Sequence, residues 1–127
     1  MDAPVDWVRA QAYTVPTDFP EADGTATWGS TTIIVMHVGA SRLEGIGYTY
    51  ADASVAALID GKLAPVVAGR DAMDPPEAWR AMNVAVRNLG REGVAATAIA
   101  AVDTALWDLK AGLLAQPLAS LLGPYRM

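Results

Sequence analysis

The chain has no cysteine in 127 residues. That excludes disulfides, thiol nucleophiles and zinc–thiolate sites together. Its single histidine, His37, sits between Met36 and Val38 as an ordinary strand residue would, with no nucleophile or ligand cluster nearby, so imidazole chemistry has little to build on. Positive charge is also scarce: nine Lys and Arg against fourteen Asp and Glu leave a net charge of −5. Arg9, Arg42, Arg70, Arg80 and Arg87 are scattered, which argues against nucleic acid or an anionic membrane as the principal partner. The longest apolar run, Val94 to Val102 with Thr97 inside it, falls far short of the roughly 20 residues that span a bilayer. No glycine-rich phosphate loop and no metal-ligand spacing is visible. Met1-Asp2-Ala3-Pro4 shows neither a basic leader nor an apolar segment, so the expectation is a soluble, cytoplasmic protein without a secretory leader.

What is present is an apolar fraction of 53%, much of it alanine. This is high for a free-standing domain and predicts apolar surface that awaits a partner. No repeat or linker divides the sequence, so residues 1–127 read as one domain. Trp7 to Val15 alternates with the period of a strand and Pro16 ends it. The β-branched run from Thr31 to Val38 predicts a second strand, and Gly45 to Tyr50 a third, joined to the second by the turn-like Gly39-Ala40-Ser41-Arg42. Helices follow. Asp52 or Ser54 can cap a helix with Val55, Leu58, Ile59, Leu63, Val66 and Val67 on one stripe and Gly69 as its stop. Asp74-Pro75-Pro76-Glu77 is a start signal, with Asp74 as the cap and Glu77 able to reach back. It opens a helix whose expected buried seam is Trp79, Met82, Val86 and Leu89, ended near Gly90 and Gly93.

The last helical stretch carries Ile99, Val102, Leu106, Leu109 and Leu113 on one stripe and Ala96, Ala100, Asp103, Trp107, Lys110 and Leu114 beside it, which predicts cover from two directions. Gln116-Pro117 breaks it, and a short helix to Leu122 is stopped by Gly123-Pro124. Asp103 and Asp108 lie five apart, so they diverge on a helix and do not form an acid/base pair. Asp103 is expected to be a hydrogen-bonded structural carboxylate and Asp108 a solvated or bridging charge. The fold class is α+β: a three-stranded antiparallel meander followed by an antiparallel helical bundle.

Two segments have the composition of a binding surface. Thr17 to Ser30, TDFPEADGTATWGS, is expected to be a long loop between the first two strands, and loops beyond about 12 residues are more often functional than connecting. Phe19, Glu21, Asp23, Thr25 and Trp28 could offer apolar contact and hydrogen bonds to a small polar ligand. The plainer alternative is a solvated loop with Trp28 in the core. Tyr48 and Tyr50 share a face at the end of the third strand, with at least one expected in the core.

The segment Ala98 to Gly123, AIAAVDTALWDLKAGLLAQPLASLLG, resembles a helical signature of the enolase superfamily, in its mandelate racemase and muconate lactonizing branch. It departs from the pattern at Ala111-Gly112, where a small residue followed by a basic one is usual. The order of strands and helices over nearly the whole chain is similar to that family's N-terminal capping domain. The resemblance implies a lid on a catalytic (β/α)₈ barrel, which needs about 250 residues of its own and is absent here. It implies Mg²⁺ in the barrel of a parent enzyme that is a dehydratase, racemase or cycloisomerase of hydroxy acids or sugar acids. The acidic metal ligands and acid/base groups would lie on barrel strands, leaving no catalytic or metal-binding residue in this chain. It further implies that the loop after the first strand closes over the barrel mouth, joined by the Tyr48–Tyr50 region, with a small carboxylate substrate at the interface and a homo-oligomeric assembly. The competing class is a free-standing α+β binding or interaction protein.

Overall fold

The computed structural model describes residues 2–126. Three antiparallel strands, β1 (Trp7–Ala22), β2 (Thr27–Ala40) and β3 (Leu43–Tyr50), lie in the order β1-β2-β3. The helical part comprises α1 (Ser54–Leu58), α2 (Ala64–Val67), α3 (Pro75–Val86), α4 (Ala96–Leu113) and α5 (Leu118–Leu122). The expected α+β order is the one observed. All three strands run longer than expected, β1 and β2 most of all. Pro16 does not end β1, and most of the segment expected as a loop forms an extended hairpin arm whose turn is only Asp23 to Ala26. Proline is tolerated because β1 is an edge strand, so the missing amide hydrogen takes no ladder bond away.

One face of the sheet is covered. Ile34, Met36, Val38 and Ala40 of β2 are fully buried, together with Val55, Ile59, Leu63 and Val67, Met82 and Val86, and Val102, Leu106 and Leu109. On β3 the same face is Gly45 and Gly47. A Cβ at Gly45 would stand 2.6 Å from the Leu109 nitrogen, and one at Gly47 2.8 Å from the Ala105 nitrogen. These glycines let the backbone of α4 rest directly on the strand, and Ala98, Ala101 and Ala105 are buried on the helix side. Cover from two directions is therefore correct, but the second face is this alanine row. The stripe Ala96, Ala100, Asp103, Trp107, Lys110 and Leu114 stays exposed or half-exposed.

The helix boundaries follow local chemistry. Asp52 accepts from the Ser54 amide at 2.9 Å before α1. Between α1 and α2 the helix widens over Ile59–Leu63, where the Ala64 amide reaches back to the Ile59 carbonyl. Pro65 follows, and its lack of an amide hydrogen makes a regular turn there impossible to complete. Gly69 takes φ +81° and stops the run. The Asp74 carboxylate accepts from the Glu77 amide at 3.2 Å at the start of α3, whereas the Glu77 side chain pairs with Arg70 instead of closing a capping box. The buried seam of α3 is Pro75, Ala78, Met82 and Val86. Met82 and Val86 of the expected seam are thus buried, whereas Trp79 is 42% exposed and Leu89, past the end of α3, is exposed as well. The amino-terminal residues are tied in: the Val5 amide donates to the Arg70 carbonyl at 2.8 Å, the Val5 carbonyl accepts from the Gly69 amide at 2.9 Å, and the Ala72 amide donates to the Ala3 carbonyl at 2.8 Å.

Both edges of the sheet are capped by helix carboxylates. The Ala10 amide on β1 donates to Asp60 at 3.2 Å, and the Ile46 amide on β3 donates to Asp108 at 2.8 Å. Asp108 is thus a bridging charge that satisfies an outward-facing strand amide. Among the described residues no helix covers the opposite face of the sheet. Tyr13, Val15, Ile46, Tyr48 and Tyr50 are exposed there. The exposed apolar surface expected from the composition is found on this sheet face, while α4 places its buried side on β2 and β3.

Candidate functional site

The hairpin arm and the end of β3 lie at the same end of the sheet, because Ile33 pairs with both Tyr13 and Tyr50 and the arm continues β1 and β2 past that point. At about 3.3 Å per residue the arm projects roughly 20 Å beyond Ile33. Its register is regular to Pro16–Ser30 and resumes at Glu21–Trp28. Thr17, Asp18, Phe19 and Pro20 therefore stand opposite the single Gly29, a bulge that turns the arm out of the plane of the ladder.

The seven residues expected to line a site fall into three pairs and one isolated ring. Trp28 donates its indole N–H to Glu21 Oε2 at 3.0 Å, so Trp28 is on the arm and outside the core. Asp23 Oδ1 accepts from the Thr25 amide at 2.7 Å, the Thr25 hydroxyl at 2.9 Å and the Ala26 amide at 2.8 Å. These bonds, the Thr25 amide first, hold the Asp23 carboxyl below the usual carboxylate range. Thr25 and Asp23 thereby build the turn, and one carboxylate oxygen is left for any other partner. Tyr48 and Tyr50 meet edge to face, with centroids 5.9 Å apart, and both are exposed. The expectation that one of them is in the core fails because the core face of β3 is taken by the two glycines. Phe19 is 79% exposed, and its own carbonyl accepts from the Thr17 hydroxyl at 2.7 Å. The arrangement presents aromatic rings and a fixed carboxylate from a projecting arm, which suits contact with a ligand held by something else.

Two recesses were not anticipated from sequence. At the other end of the open sheet face, Trp7, Arg9, Gln11, His37 and Glu44 line a cavity of about 270 Å³. There the Arg9 guanidinium lies 4.6 Å from the Trp7 ring centre and His37 pairs with Glu44. Strand alternation places Arg9, His37 and Glu44 on one face but gives no sign that they meet. The second recess, about 160 Å³, lies between α3 and α4 and is lined by Trp79, Asn83, Arg91, Ile99, Ala100 and Asp103. Among the described residues Asp103 accepts no hydrogen bond, contrary to expectation, and burial pushes its carboxyl up.

Among the described residues no three of His, Asp and Glu come together to hold a metal. The donor chemistry agrees: Glu21 is engaged by an indole, Asp23 by its turn and Asp108 by a strand edge. Among the described residues these carboxylates do not converge on a common point.

A three-stranded antiparallel sheet covered by helices on one face, with a projecting hairpin arm, defines an α+β fold. The sequence matches the family described as mandelate racemase / muconate lactonizing enzyme, N-terminal domain, over residues 8–123, and the chain belongs to that family. It is 35% identical to the 3,6-anhydro-alpha-L-galactonate cycloisomerase of Streptomyces coelicolor over 127 residues, covering 95% of this chain and 35% of that protein. Among solved structures it superposes on a mandelate racemase/muconate lactonizing enzyme-like protein from Rubrobacter xylanophilus with a TM-score of 0.91 and 52% identity, covering 93% of this chain and 33% of that one. An L-talarate dehydratase from Polaromonas sp., complexed with Mg and L-glucarate, matches with a TM-score of 0.84 and 28% identity over 98% of this chain and 36% of that one. The chain spans about a third of the length of the curated relatives it matches.

Proposed function

We propose that residues 1–127 are the capping domain of a Mg²⁺-dependent enzyme acting on sugar acids, a dehydratase, racemase or cycloisomerase, and that the hairpin arm helps select the substrate. The observation that carries this reading is the arm itself. It places Phe19, Glu21 and Trp28 far from the domain's own core, at the end of the sheet where Tyr48 and Tyr50 also emerge, in a family whose relatives include enzymes of this kind. In this reading proton abstraction and metal binding belong to a companion barrel, in keeping with the lack of any metal-holding cluster of His, Asp and Glu among the described residues. The small carboxylate substrate would lie between barrel and arm. Homo-oligomer formation and a cytoplasmic address belong to the same reading. Among the described residues, no helix is long and apolar enough to cross a membrane.

The test is kinetic. In the enzyme carrying this domain, Phe19→Ala, Glu21→Gln and Trp28→Ala should change relative kcat/KM across a panel of sugar acids while leaving Mg²⁺ affinity alone. Unchanged substrate ratios in all three variants would remove the arm from substrate selection. The 127-residue chain by itself should catalyse no exchange of the α-proton of a sugar acid in deuterated water, and exchange by pure protein would contradict the assignment of the chemistry to the barrel.

A further inference from the structure

The cleft between α3 and α4 contains a half-buried carboxylate that the domain does not use. Asp103 projects from the middle of α4, accepts no hydrogen bond among the described residues, and has its charged form disfavoured by burial. Its oxygens stay open to the cleft, so a cation entering there would offset the partial desolvation of the charged form. The other charged group lining the cleft, Arg91, donates through Nε to Asn83. Trp79 also lines the cleft and is 42% exposed although it is the largest side chain of α3. Ile99 and Ala100 complete the lining.

We infer that this cleft receives an arginine side chain from the companion domain, its guanidinium pairing with Asp103 and stacking on the Trp79 indole. The existence of that domain rests on the reading given under Proposed function. Three observations select this occupant. The volume, about 160 Å³, is below the roughly 300 Å³ at which small-molecule sites begin, so a single side-chain head group fits and a metabolite does not. One carboxylate beside an indole is a poor site for a divalent cation, which needs about six oxygen ligands. A planar, weakly hydrated guanidinium satisfies carboxylate and aromatic face together, which a compact ammonium does less well.

The probe is N-acetyl-L-arginine amide titrated into the 127-residue chain, followed by the Trp79 indole and Asp103 carboxyl NMR signals. N-acetyl-L-citrulline amide serves as the neutral isostere. Saturable shifts at both residues are expected, with citrulline at least about fivefold weaker and the effect lost in Asp103→Asn. Equal shifts from the two probes, or none from arginine, would overturn the inference. Thermal stability supplies the second arm. Asp103→Asn should raise Tm in the isolated chain, where the carboxylate is unpaired, and lower it in the enzyme containing the companion domain. A fall in the isolated chain would mean that Asp103 is already paired within it, for example to Arg91, and a rise in both would mean that no companion arginine arrives; either overturns the inference. The arm variants that test the capping-domain reading do not involve Asp103, so the two failures are distinguishable.

Discussion

The two ends of the same sheet are held by different physics. Where β2 runs from Ile34 to Ala40, every inward residue is buried and α4 lies on β3 closely enough that only glycine fits at positions 45 and 47. Where β1 and β2 continue as the arm from Pro16 to Ser30, no residue is buried and order comes from a turn closed by Asp23, one indole–carboxylate bond and a ladder interrupted by a bulge. The first end derives its stability from excluded water and the second from local hydrogen bonds that water can replace. A segment built in the second way can move or adapt without cost to the rest, and contacts to a substrate are usually made by segments of that kind.

Substitutions should separate the two ends, most strongly at the helix–strand contact. Gly47→Val forces a branched side chain against the Ala101 and Ala105 backbone, and Leu109→Ala empties a fully buried site. Each should cost about 3 kcal/mol or more in urea unfolding. A loss under about 1 kcal/mol in both would show that the close packing does not carry the fold. Asp108→Ala leaves the outward Ile46 amide without its carboxylate and should cost about 1 kcal/mol, less than either packing change because water reaches that edge. Phe19→Ala on the arm should fall within about 0.5 kcal/mol of wild type in the same assay; a cost like that of Leu109→Ala would place the arm within the cooperative core.

The carboxylates sharpen the same contrast through pH. Asp71 accepts from the Met73 amide at 2.9 Å and the Ala3 amide at 3.0 Å, and these bonds, Met73 first, hold it below the usual carboxylate range. Its folded pKa is lowered, so the stability it adds is whole above the ordinary carboxylate pKa and is lost as pH falls through the lowered value. Asp103 has the opposite sign: burial raises its pKa, so it penalises folding at neutral pH and the penalty is relieved as pH falls through the raised value. In the isolated chain, Asp71→Asn should therefore be less stable than wild type at pH 7 and Asp103→Asn more stable, with both differences shrinking in acid. Urea midpoints between pH 7 and pH 3 check this, and a constant offset across that range would contradict it.

The helix-backed end was largely readable from sequence, because burial on one side leaves a period that composition cannot hide. The stripe from Ile99 to Leu109, the Asp74 cap and the Gly69 stop all stand where their residue types put them. The errors share a cause. Pro16 reads as a strand end unless the strand is known to be an edge, which is a property of the whole sheet. The expected and observed seams of α3 share Met82 and Val86, and the difference at Trp79 and Ala78 depends on where the neighbouring elements lie, which no pattern within the helix records. Alternation puts Tyr48 and Tyr50 together, yet which face is core was decided by Gly45 and Gly47, whose signal is the absence of a side chain. The Trp79–Asp103 cleft joins residues 24 positions apart on two helices, and no local pattern announces such a meeting.

Native-state amide hydrogen exchange on the 127-residue chain compares the two ends most directly. The account predicts that the Ile34 to Val38 amides exchange only through global unfolding. The Thr17 to Ala22 amides should exchange through local opening, at least about a hundredfold faster and with little sensitivity to Leu109→Ala. Equal protection at the two ends, both falling together in that variant, would show one cooperative unit and contradict the division on which the arm's proposed role rests.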